Sequence, residues 1–165
     1  MNSFVFDRLD LLAVGVLVAT FGLLGFAVFL SDPKSVTARA FFYFSLATIF
    51  FVIVNYSTYQ VLSLGSALWL YRVLLFSAVL NVLSLFNFLY VFPASKPVLS
   101  KWYKTIIIPF TLFASFLCLT PLMFKAISGE IREGVLIDPE RGWGMVLFEL
   151  IIPILAFGGI ALFVK

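Results

Sequence analysis

Five stretches of this chain, each about twenty residues or longer, carry at most one charged side chain apiece: residues 11–30, 40–62, 67–92, 105–124 and 143–164. Crossing roughly 30 Å of hydrocarbon takes about 20 residues of helix at 1.5 Å each, so every stretch reaches the required length. Composition closes off the soluble alternative. Of the 165 residues, 63% are hydrophobic and 12% charged, whereas soluble domains carry about a quarter charged. A chain this short keeps too much surface to hide that apolar excess from water. The expected fold class is therefore all-α: a polytopic transmembrane helix bundle of about five spans, forming one membrane-embedded module over residues 1–165.

The breaks between spans carry ordinary helix-ending chemistry. Asp32-Pro33 ends the first span as a turn dipeptide. Thr37 and Arg39 open the second, Leu64-Gly65 closes it, and Pro93 ends the third. Trp102 and Tyr103 stand before the fourth as interfacial anchors, and Pro109 and Pro153 are positioned to kink the last two spans. The first span reads as a retained helix and not a signal peptide. Arg8 is offset by Asp7 and Asp10, the apolar run is too long, and no small-x-small cleavage site follows it.

Five spans put the two termini on opposite faces. One face would carry Lys34, Arg39, Lys96, Lys101, Lys104 and Lys165 against the single acid Asp32. The other would hold the N-terminus, a short turn before residue 67, and the loop 125–142. In that loop Lys125, Arg132 and Arg141 mix with Glu130, Glu133, Asp138 and Glu140. Lysine and arginine in short loops favour the cytoplasm, so the expected topology is N-out and C-in. Within the outer loop, residues 131–137 read either as a hairpin turning at Glu133-Gly134 or as an irregular loop. No internal repeat is visible.

Several function classes drop out. The chain contains no histidine and one cysteine, Cys118, which removes histidine-based triads, histidine zinc sites and four-cysteine metal sites. Its ten glycines fit neither the dinucleotide nor the Walker phosphate pattern. No enzyme activity, cofactor or metal is expected of this polypeptide. The net charge of +3 comes from scattered basic residues at span ends, not from one basic face, so no nucleic acid is expected as partner. The expected surroundings are a lipid bilayer.

Charges inside a membrane are costly and mark candidate sites. Arg72 and Glu149 are the two intramembrane charges, each within about two turns of its span's start. They read either as an ion pair lining a pocket or as a snorkelling arginine and a wetted glutamate. Two polar stripes add a second candidate. Ser77, Asn81, Ser84 and Asn87 fall at i, i+4, i+7 and i+10 on the third span, within roughly a third of the helix circumference. Ser45, Thr48, Asn55 and Tyr59 share a similar arc on the second. Such faces turn toward other helices, for packing or around a polar ligand. Gly15 and Ala19 form a small-xxx-small pair on the first span.

The order of several phrases resembles the N-terminal seven-helix sensor region of bacterial sensor histidine kinases. They are LSDPKSVTARAFF at 30–42, WLYRVL at 69–74, FLYVFP at 88–93, GWGMVLF at 142–148 and LFVK at 162–165. The resemblance covers the first five helices, from about residue 11. It implies an N-out module in the bacterial inner membrane, a homodimer, and a last helix leading to a cytoplasmic signalling domain in cis or trans. Two helices and the kinase are missing, so the chain is expected to be a fragment or truncated product. With no histidine there is no phosphoacceptor here. The expected function is a sensor module passing a stimulus to a cytoplasmic output. The alternatives are a small transporter or permease subunit, which broken helices around a midplane charge would favour, and a structural membrane protein.

Overall fold

The computed structural model describes the backbone of residues 3–60, 63–92, 101, 103–127 and 139–163, with side chains within 9–60, 63–92, 101, 103–125 and 140–161. Among these residues the architecture is five α-helices and one small sheet. Helix α1 covers Ser3–Ser31, α2 Val36–Thr58 and α3 Leu64–Val91. A π-helical turn, Tyr103–Ile107, runs into α4, Ile108–Leu117. Strands β1 (Phe124–Ile127) and β2 (Pro139–Arg141) then precede α5, Met145–Phe163.

Three helices are long and apolar enough to cross a membrane, over Leu9–Ser31, Val36–Thr58 and Leu64–Val91, which points to a multi-pass membrane protein. Their ends follow local chemistry. The Asp32 carboxylate accepts the amides of Lys34 and Ser35, both at 3.2 Å. Ser35 then caps α2 by accepting the amide of Ala38 at 3.3 Å. Ser63 does the same for α3, accepting from Ser66 at 3.3 Å. Helix α2 ends earlier than expected from hydropathy, at Thr58. The amides of Tyr59 and Gln60 bond three residues back, tightening the last turn.

The fourth expected span, 105–124, is corrected most. Helix α4 stops at Leu117, and with the preceding turn it measures five plus ten residues, about 22 Å. That falls short of the roughly 30 Å of hydrocarbon. The reason is Pro121, which disfavours helix at the residue before it. The amides of Leu119 and Thr120 bond three residues back, to Phe116 and Leu117, as the helix unwinds. Pro109 sits in the first turn of α4, directly after the π-turn. Phe124, expected at the end of a span, instead opens β1, which pairs antiparallel with β2 (Phe124 with Arg141, Ile127 with Pro139). Residues 131–137, read above as either a hairpin or an irregular loop, lie outside the described residues.

Helix α3 is the hub. It packs on α2, α4, α5 and β1, while α1 leans on α2. Two clusters fill the α3 side: Leu75, Val79, Cys118, Met123 and Phe124 at one end, and Phe86, Tyr103, Ala114, Ile151 and Leu155 at the other. Helices α1 and α2 come close at Gly25, where an added Cβ would stand 2.7 Å from the Ser45 Cβ. Gly15 meets nothing within 4 Å, so the small-residue contact lies at Gly25 and not at the Gly15–Ala19 pair. Much of the remaining apolar surface is bare: Leu12, Leu23 and Leu30 of α1 are 64%, 73% and 71% exposed. Such a surface is stable against hydrocarbon and costly in water.

Candidate functional site

Among the described residues the most buried charge is Arg72, 7% exposed, two turns into α3. An arginine keeps its charge in a protein and brings five N–H donors. One Nη2 hydrogen goes to the backbone carbonyl of Phe124 at 2.9 Å. The guanidinium carbon lies 5.5 Å from the centre of the Trp69 ring, within cation–π range. The Nε–H is buried without a hydrogen-bond partner. Arg72 therefore fastens the start of β1 to α3 through a backbone oxygen, with Tyr71 placing its ring edge-on to Phe124 at 6.1 Å.

The far side of that backbone is held by two glycines. The Gly142 amide donates to the Met123 carbonyl at 2.6 Å, and the Gly144 amide to the Leu122 carbonyl at 3.1 Å. A Cβ at Gly142 would overlap the Leu122 carbonyl, and one at Gly144 would stand 2.9 Å from the same oxygen. Only glycine lets the two backbones come this close. Residues 122–124 are thus gripped between Arg72 of α3 and the turn that launches α5. Trp143, between the glycines, is 80% exposed, as suits an interfacial anchor.

Glu149 has a different partner from the one its depth suggested. It faces Arg141 at 3.8 Å, with both side chains more than half exposed. The Arg72–Glu149 pair is not formed. Helix α5 turns Phe148, Ile151, Ile152 and Leu155 inward, and Glu149 lies about a third of a turn away from that face. Arg72 meanwhile points at β1.

No protein-family model, curated protein or solved structure matches this chain significantly.

The two polar stripes divide by depth. At mid-helix they serve contact. Ser45 and Ser77 are buried and bond to carbonyls of their own helices, Phe41 and Leu74. The Thr48 hydroxyl lies 2.9 Å from the Phe44 carbonyl and 3.0 Å from Asn81 Oδ1 on α3. One hydroxyl proton cannot serve both. Turning the Asn81 amide so that its NH₂ donates to Thr48 satisfies the pair, because oxygen and nitrogen of an amide are assigned from the network. Ser84 bonds to the Asn81 carbonyl at 2.8 Å. Asn87 accepts from the Tyr103 hydroxyl at 3.3 Å, joining α3 to the π-turn.

Toward the ends the stripes open into clefts. Asn87 lines a small one of about 190 Å³ with Arg39 and Tyr43. At the other end, Asn55 and Tyr59 face a larger cleft of about 430 Å³ between α1 and α2, which also takes Asp10, Tyr56 and Gln60. Sequence reasoning passed over Asp10 and the glycine clamp. The signals were present: a carboxylate one residue before an uncharged run, and a Gly-Trp-Gly triplet opening a helix.

Proposed function

We propose that this chain is the membrane-embedded input module of a signal-transduction protein. The observation that carries the reading is the continuous grip on residues 122–124. Arg72 joins them to α3, and the Gly142 and Gly144 amides join them to the turn opening α5. A displacement at the β1–β2 end thereby reaches α5, whose far end would meet a cytoplasmic output such as a histidine kinase, in cis or in trans. The likeness of the five phrases quoted above to sensor-kinase input regions supports the same reading. The proposal takes the N-out, C-in topology that short-loop lysine and arginine favour, with α4 and the apolar residues 118–124 together making the fourth crossing. In this proposal the protein sits in a bacterial inner membrane as a homodimer. Switching requires two packings within a few kcal/mol of each other.

Reporter fusions test the topology on which this depends. Reporters active only in the cytoplasm should work when fused after Lys96 or Lys165 and fail after Glu133. Activity after Glu133 with silence after Lys165 would put the output end on the wrong side. A transporter subunit is the second reading, favoured by the short, π-turned α4 packed on the helix that carries a buried arginine. Substrate uptake by vesicles holding this chain alone would favour that reading over ours.

A further inference from the structure

We infer that the cleft between the start of α1 and the end of α2 binds an amphiphile with an alkylammonium head. Its volume of about 430 Å³ falls within the roughly 300–1,000 Å³ of small-molecule sites. Its lining is sorted by chemistry along the helix axes. Asp10, Asn55, Tyr56, Tyr59 and Gln60 form the polar end, and Val14, Leu17, Phe51 and Val52 continue the wall inward. Leu17 lies seven positions beyond Asp10 on α1, about 10 Å along the axis. The shape therefore offers a charged mouth above a short apolar slot.

Charge decides what fits. Among the described residues of the lining, Asp10 is the one that carries a charge, which disfavours an anion. A divalent metal needs about six oxygen ligands, several of them carboxylates or carbonyls, and a single carboxylate is too few. An organic cation needs less. One carboxylate balances its charge, and the faces of tyrosine rings attract a weakly hydrated ammonium. Tyr56 and Tyr59 are in place for that, and the Asn55 and Gln60 amides remain for any polar group carried beside the nitrogen. The apolar slot below favours an alkyl chain over a compact amine.

The test uses the full chain in maltoside micelles with radiolabelled octyltrimethylammonium as probe, read by equilibrium dialysis against protein-free micelles. Saturable binding at one site per chain is expected. Asp10→Asn should weaken it about fivefold or more, and Tyr59→Leu by about threefold, since each contact is a partly exposed one. Val14→Trp should fill the slot and abolish binding, while an uncharged analogue carrying a tert-butyl head should not saturate. Displacement by short-chain phosphatidylcholine, whose head is the same trimethylalkylammonium, would assign the natural head to a lipid, and its failure to displace would assign it to a free amphiphile. Binding unchanged by Asp10→Asn, or equal binding of the uncharged analogue, would overturn the inference. The measurement needs no kinase output, so it stands or falls separately from the signalling proposal.

Discussion

Replacing Gly142 by alanine is expected to destabilise the bundle by about 3 kcal/mol, the upper range for forcing extra volume into a packed site. The new methyl would overlap the Leu122 carbonyl, and moving the chain apart would break the 2.6 Å bond to Met123. Cys118 supplies the readout. It is the chain's one cysteine and is buried at 1% exposure against Met123 and Phe124, so a thiol-reactive dye reports opening of this cluster during heating in detergent. The G142A protein should label at a clearly lower temperature than the parent. Gly15→Ala is the control: nothing lies within 4 Å of its added carbon, and alanine is the better helix former by up to about 1 kcal/mol. Equal melting of G142A and G15A would show that the glycine clamp does not hold residues 122–124.

The second large effect belongs to Arg72. Arg72→Leu should cost about 2 kcal/mol, because the buried Phe124 carbonyl loses a charge-assisted bond and gains no replacement. The loss is tempered by removing a buried cation whose Nε was already unpartnered. Glu149→Gln should cost under about 1 kcal/mol, since its pair with Arg141 is exposed. The double mutant should lose the sum of the two within about 0.5 kcal/mol, as separate sites do. A double mutant losing much less than the sum would mean that Arg72 and Glu149 meet after all.

What the sequence disclosed divides along a physical line. Hydropathy and turn chemistry located α2 and α3 and the end of α1 within about four residues, because solvent preference and capping are local properties. Helix α1 begins at Ser3, eight residues before the uncharged run, since helix continues through the charged residues that hydropathy leaves out. Asp32, Pro33 and Ser35 state their turn in their own side chains. Helix α4 was misjudged because residues 118–124 stay apolar after the backbone has left the helix, and hydropathy weighs the solvent, not the dihedral angles. The stop was written in Pro121 and was masked by its greasy neighbours. Arg72 was recognisable as costly, yet its partner is a main-chain oxygen 52 residues away. A backbone acceptor has no sequence signature, so the nearest opposite charge at similar depth stood in for it. The stripes were legible as faces from their spacing. Which neighbour each face meets depended on helix order, and Thr48–Asn81 emerged only once α2 lay on α3.

The central claim is that the β1–β2 end is mechanically joined to α5 and so to an output. It is tested most directly by fusing a cytoplasmic histidine-kinase core in helical phase after Lys165 and measuring basal autophosphorylation in membranes. Arg72→Leu and Gly142→Ala should each shift that activity severalfold at matched expression, while Gly15→Ala leaves it unchanged. Activity identical in all three variants, with the fusion correctly inserted, would contradict the account.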